Sequence, residues 1–137
     1  MIDIHCHILN NVDDGASNIS QSIHSLRLAE KAGFTDIILT PHYIQNYYEN
    51  TTDSLEPLVN NLKQQVYKKN IIINLHQGNE IYICENLIEL LENKTVCTLA
   101  KSKYVLFELP LKQKLYITNN IIKQLKEKGY IPVLAHP

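Results

Sequence analysis

Five short apolar runs, separated by amphipathic stretches, constrain the fold of this chain more than any other feature. MIDIHCH (1–7), TDIILT (35–40), IIINL (71–75), KYVLFEL (103–109) and IPVLA (131–135) each have the length of a strand. Between them, NISQSIHSLRLAEKAG (18–33), SLEPLVNNLKQQVYKK (54–69), ENLIELLEN (85–93) and ITNNIIKQLKEKG (117–129) carry apolar residues at helical spacing. Strands alternating with helices of this size predict an α/β fold of βαβ units on a parallel sheet. Near-continuous apolar strands predict a sheet covered on both faces. In the first helix Ile19, Ile23 and Leu26 form one stripe with Ala29 or Glu30; Asn18 and Gln21 resemble a capping box, and Gly33 is placed to end the helix. Leu55, Leu58, Val59, Leu62 and Val66 make the inner face of the second helix. Ile117, Ile121, Ile122 and Leu125 make that of the last, which Gly129 ends. TVCTL (95–99) has no clear period.

Each strand runs into a residue that can bind a metal. The first delivers His5 and His7, the second His42, the third Glu80, the fourth Glu108 and the last His136. In parallel α/β folds the C-terminal strand ends build the active site. Side chains alternate along a strand, so His5 and His7 share a face while Ile4 and Cys6 take the other, Cys6 as a small buried residue facing the helices. Alone, an H-x-H pair fits two satisfied strand-end histidines as well as two metal ligands. Asp13, Asp14 and Gly15 read as a turn before the first helix, with Asp14 near the same rim. Glu108 by itself reads as a strand-end ion pair and Glu80 as a loop carboxylate. Taken together, five strands bringing imidazoles and carboxylates to one rim point to metal binding. A carboxylate can bridge two cations, as in two-metal hydrolases, and this ligand mixture suits manganese, iron or zinc. His24 reads as exposed, His76 as a loop or core histidine, and the 112–116 block KQKLY as solvated surface. Tyr43, Tyr47 and Tyr48 fit the lining of a substrate mouth, and equally an ordinary loop that carries aromatics.

Composition excludes several classes. The 137 residues suffice for one domain with a core, and a net charge of −1 gives no pull toward nucleic acid or an anionic membrane. No apolar run is long enough to span a bilayer, and no stretch resembles a signal peptide. Three cysteines, Cys6, Cys84 and Cys97, read as free thiols in a reducing compartment, so a cytoplasmic protein is expected. A cysteine-based phosphatase needs arginine six residues after its thiolate. Those positions hold Val12, Leu90 and Lys103, and the one arginine is Arg27.

DIHCH, VDDG, TPH, GNEIY, FELP and VLAHP together resemble the PHP superfamily of metal-dependent phosphoesterases. They are most similar to the bacterial manganese-dependent tyrosine phosphatases of the CpsB/YwqE type. The resemblance covers the whole chain and implies a distorted (β/α)7 barrel with up to three metals. It assigns His5, His7 and Glu80 to the first metal, Glu80, Glu108 and His136 to the second, and Asp14 and His42 to the third. It also implies manganese, with iron or zinc possible, and hydrolysis of phosphotyrosine monoesters by a metal-activated hydroxide. The implied partner is a bacterial tyrosine kinase that regulates capsular or exopolysaccharide synthesis. Relatives carry further metal ligands and phosphate-binding arginines beyond the histidine–proline corner. Residues 1–137 are therefore expected to be the N-terminal portion of a single PHP domain, an incomplete barrel lacking its last strands, weakly active and prone to self-association. The alternatives are a PHP phosphatase for a small ester such as histidinol phosphate, and an inactive remnant or interaction module.

Overall fold

A computed structural model describes residues 1–109 and 115–136. In chain order these form β1 (Ile2–Cys6), α1 (Ile19–Lys31), β2 (Asp36–Leu39), β3 (His42–Ile44), β4 (Tyr48–Glu49), α2 (Thr52–Lys68), β5 (Asn74–Gln77), β6 (Glu80–Tyr82), α3 (Leu87–Glu92), a 3-10 turn (Leu99–Lys101), β7 (Tyr104–Glu108), α4 (Leu115–Glu127) and β8 (Ile131–Leu134). The surface placement of the 112–116 block and the inward placement of Ile117 rest on side chains outside the described residues.

The strands lie in two sheets, ordered β1-β2-β5 and β4-β3-β6-β7-β8. Every pairing is parallel except the β3–β4 hairpin. The α/β alternation is as the sequence predicts, but three short strands, β3, β4 and β6, lie beyond the five expected runs. β2 and β3 are one path broken at Thr40–Pro41, and β5 and β6 are one path broken at Gly78–Asn79. Proline cannot donate to a ladder, so Pro41 marks the corner. Parallel pairing continues across the breaks through Gly78 N–H to Leu39 C=O (2.9 Å) and Glu80 N–H to Pro41 C=O (3.1 Å). The third apolar run also shifts: β5 begins at Asn74, after Ile71 and Ile73 have turned inward and Ile72 outward.

The helix signals hold in detail. Asn18 Oδ1 accepts from Gln21 N–H (3.0 Å), and Gln21 Oε1 accepts from Ser17 N–H (2.8 Å), one residue earlier than a strict capping box. Gly33, at φ +88°, closes α1 with bonds from Gly33 N–H to Glu30 C=O and from Phe34 N–H to Ala29 C=O. Leu26, Leu55 and Leu62 from α1 and α2 pack on Ile37, Leu39 and Leu75 of the first sheet. Leu87 and Leu91 of α3 and Ile121 and Leu125 of α4 pack on Ile81, Val105 and Phe107 of the second. Each fully buried leucine is worth about 1.5–3 kcal/mol of transfer free energy. Leu58 departs from the expected inner face of α2 and is exposed.

Expected coverage of both sheet faces fails at the outer strands. Ile2 and Ile4 of β1 and Ile131 and Leu134 of β8 are exposed among the described residues. Each strand is the edge of its sheet, with no neighbouring strand on its outer side among the described residues. Cys6 does face the helices and packs on the first core, and burial pushes its thiol up to about 12. Burial also raises Cys84 and Cys97. A thiol whose folded pKa is raised leaves stability intact below the unfolded value near 9 and erodes it as pH climbs toward the folded value. Native protein at pH 8 is therefore expected to alkylate with iodoacetamide far more slowly than the urea-unfolded chain, read by mass spectrometry.

Candidate metal centre

The corners that split the strands also build the site. His42 and Glu80 lie just beyond the C-terminal ends of β2 and β5 and at the same time open β3 and β6, where they pair with each other in register. His5 comes from β1, His7 from just beyond it, Glu108 from the end of β7 and His136 from beyond β8. They converge on the Glu80 carboxylate, which is fully buried. Glu80 Oε2 lies 3.0 Å from both His5 Nε2 and His7 Nε2 and 3.2 Å from His42 Nδ1, while Oε1 lies 2.8 Å from His136 Nε2. His42 Nδ1 is also 3.0 Å from Glu108 Oε1.

These contacts leave polar atoms unserved. Among the described residues, both Glu80 oxygens and His42 Nδ1 are buried without a hydrogen bond of acceptable geometry, despite the short distances. Buried polar atoms are costly unless partnered, and a shared cation satisfies lone pairs that face one another. Three sets of side chains bring one ligand atom each within 4.8 Å of one another: His5, His7 and Glu80; His42, Glu80 and Glu108; His7, Asp14 and His42. In the first set, the His5 and His7 Nε2 atoms are 3.3 Å apart. Such spacings match the edge of a coordination polyhedron with bonds of about 2.1 Å. The donor set of nitrogen and oxygen suits borderline divalent cations.

The first set and the Asp14–His42 neighbourhood have the grouping implied by the resemblance, and the set around Glu108 differs from it. His136 touches Glu80 but its side chain is 60% exposed, and it joins none of the three sets. His42 stands beside Glu80 and Glu108 instead. Its Nε2 is also 3.6 Å from Asp14 Oδ1, and Asp14 is largely exposed. A neutral imidazole coordinates through one nitrogen, so His42 serves one of its two sets at a time.

Electrostatics follow from this crowding. Burial would push Glu80 up, but the close approach of the His5 and His7 imidazoles and the charges of His5 and His42 pull it well below the usual carboxylate range. Burial would lower His7, yet its hydrogen bond to Asp13 and the nearby Glu80 carboxylate hold it up at about 10 in the metal-free protein. Burial and the Glu80 charge raise Glu108.

Asp13, read from sequence only as part of a turn, supports the site. Its Oδ2 accepts from His7 Nδ1–H (2.7 Å) and His42 N–H (3.0 Å), and its Oδ1 accepts from Gly15 N–H (3.0 Å). A carboxylate on the far nitrogen fixes the ring so that Nε2 faces the cation. Burial would raise Asp13, and these bonds lower it. Gly15 is required beside it. A Cβ there would lie 2.2 Å from the His7 carbonyl oxygen and 2.5 Å from His7 Cβ. Gly15→Ala is expected to cost about 2 kcal/mol or more and to weaken metal binding, measured by urea unfolding and calorimetry.

Asn79 and Asn50 are also missed by sequence reasoning. Buried Asn79 donates to the Pro41 and Asn50 carbonyls and accepts from Cys97 N–H, and Asn50 donates to the Val12 and His42 carbonyls. They tie the loops before Asp13, at His42 and at Glu80 to one another. Only their place beside the acidic and histidine motifs could have marked them. Of the residues set aside, His24 is exposed and His76 pairs with Asp36 at 3.0 Å. Tyr43 is buried in the core rather than lining a mouth, since its side of β3 faces the packed helices. Arg27 donates to the Lys69 carbonyl.

The family model described as "Capsular polysaccharide synthesis, CpsB/CapC" matches residues 1–137. CapC of Staphylococcus aureus is 39% identical, over 100% of this chain and 54% of its own length. Tyrosine-protein phosphatase YwqE of Bacillus subtilis is 36% identical, over 100% and 54%. Tyrosine-protein phosphatase CpsB of Streptococcus pneumoniae is 30% identical, over 99% and 56%. The chain thus spans about half the length of the curated relatives it matches. A crystal structure from a study of YwqE and CpsB, described there as unique metal-dependent tyrosine phosphatases, superposes with a TM-score of 0.95. It is 36% identical, covering 100% of this chain and 56% of that one.

Proposed function

The chain belongs to the CpsB/CapC family of capsular polysaccharide synthesis, and from that premise we propose that it forms the N-terminal portion of a single metal-dependent phosphatase domain acting on phosphotyrosine in proteins. The observation that carries this reading is the buried Glu80 carboxylate, whose unsatisfied oxygens face His5, His7, His42 and His136. His5, His7 and Glu80 would hold one divalent cation, and His42, Glu80 and Glu108 a second. Asp14 and His136 stand close enough to complete or exchange with these sets. Manganese is the proposed metal, with iron and zinc as its competitors on the same donors. Bound cations supply Lewis acidity and lower the pKa of water toward neutrality.

The chain's own residues do the rest. Asp13 orients His7, and Glu80 brings negative charge to the point where cations gather. A cysteine nucleophile is disfavoured, because burial raises all three thiols and none has an arginine six residues on. A tyrosine kinase of the capsule machinery is the proposed partner, and the free cysteines favour a cytoplasmic setting. The test is release of phosphate from a phosphotyrosine peptide by the manganese-loaded protein, set against phosphoserine peptide and histidinol phosphate. Hydrolysis of the first, abolished by chelation, supports the reading. Hydrolysis of histidinol phosphate alone moves the substrate to a small ester.

A further inference from the structure

One cleft of about 580 Å³ opens onto the candidate metal centre. Its lining combines the ligand candidates Asp14, His42, Glu108 and His136 with three tyrosines, Tyr47, Tyr48 and Tyr82. We propose that this tyrosine lining, led by Tyr48 between His42 and Tyr47, is the seat for the aryl ring of the substrate and sets the preference for aryl over alkyl phosphate esters. This rests on the phosphatase reading above and deepens it.

The aromatic wall is built rather than incidental. The Tyr48 ring lies parallel to the His42 imidazole, 11° between planes and 6.3 Å between centroids, so it borders a ligand directly. Tyr47 meets Tyr48 edge to face at 4.6 Å and 70°. The β3–β4 hairpin fixes both. Asn46 takes φ +64° in its turn, Tyr47 N–H donates to the Ile44 carbonyl and Asn46 N–H to Glu49 Oε1, each at 2.9 Å. A rigid aromatic pays little ordering entropy when it binds. Tyr47 is 74% exposed. A large aromatic held open beside a polar site is a surface suited to a partner ring. A phosphate over the ligands places the ring of an aryl ester one ester oxygen away, on the tyrosine side. An alkyl ester has no ring to set there. The cleft volume falls within the range of small-molecule sites.

The experiment uses metal-loaded protein and three probes by calorimetry: a peptide carrying a non-hydrolysable phosphotyrosine mimic, the same peptide with an alkyl phosphonate, and inorganic phosphate. Wild type is expected to favour the aryl peptide. Tyr48→Ala should weaken aryl binding roughly tenfold while leaving inorganic phosphate binding unchanged. Tyr48→Phe should keep the preference, and Tyr47→Ala, on an exposed turn, should lose a smaller part of it. If Tyr48→Ala does not fold, the Tyr47→Ala and Tyr48→Phe pair decides. Aryl and phosphate binding falling together would overturn the proposal, because Tyr48 would then act only through the metal ligands. An unchanged aryl preference in both alanine variants would overturn it as well, with the phosphatase reading intact. A wild type that neither prefers the aryl peptide nor hydrolyses phosphotyrosine would sink both.

Discussion

Glu80→Gln is expected to lower divalent-metal affinity at least about a hundredfold and, under the proposed function, to lower phosphatase activity about a thousandfold or more. One carboxylate touches four imidazoles and belongs to two of the three ligand sets. Outer partners of metal ligands alone are worth about 10–100-fold in affinity, so a shared ligand exceeds them. The rate loss follows because charge stabilisation by a bound cation is worth several kcal/mol, and about 4 kcal/mol is a thousandfold. Glutamine keeps the shape but offers one acceptor oxygen and no charge. The reading is by calorimetric titration of manganese, with thermal melts of the metal-free protein as control. A variant that melts below wild type without metal, for want of the charge facing the imidazoles, and gains no stability when metal is added is the expected result. Metal at a hundred times its Kd should raise wild-type stability by about 2.7 kcal/mol, a gain the variant loses. An unchanged metal isotherm in Glu80→Gln would place the cations elsewhere.

The second large effect is at Asp13. Asp13→Ala removes the acceptor for His7 Nδ1–H, His42 N–H and Gly15 N–H in one step. Metal affinity is expected to fall about 10–100-fold because the His7 ring loses its orientation. Stability is expected to fall by about 1–3 kcal/mol through the stranded buried donors. The pH dependence has a definite sign. His7 is raised to about 10 in the metal-free protein. Its pairing therefore stabilises that protein fully below the ordinary value near 6.5 and fades as pH rises toward 10. Asp13 is lowered, so its share is lost only as pH falls through the acid range. Metal binding needs neutral His7, so the thermal shift on adding metal should grow between pH 6 and pH 9 while the metal-free melting temperature declines. In Asp13→Ala both slopes should flatten. Wild-type slopes retained in the variant would show that Asp13 does not hold His7.

Legibility in the sequence tracked the range of the interactions involved. Local signals were clear: Asn18 and Gly33 bound α1, and the buried leucines of α1 and α2 fall at helical spacing, because capping and periodicity are decided within a turn or two. Leu58 escaped the pattern because a stripe drawn on sequence cannot tell how wide the buried face is. The corners at Pro41 and Gly78 were invisible as corners. Their effect, two strand paths each serving two sheets, depends on pairing between residues about forty positions apart. The histidines and glutamates were legible as residues because few other side chains bind metals. Their grouping was not, since whether His42 or His136 stands beside Glu108 depends on how β3, β6 and β7 align. Asp13 and Asn79 were hidden because a supporting hydrogen bond leaves no spacing rule in the sequence.

The most direct test is a crystal structure of the manganese-loaded protein with anomalous differences measured at the manganese edge. The account predicts one peak within bonding distance of His5, His7 and Glu80 and a second within bonding distance of Glu80 and Glu108. Peaks absent from Glu80, or found only at surface carboxylates, would contradict it.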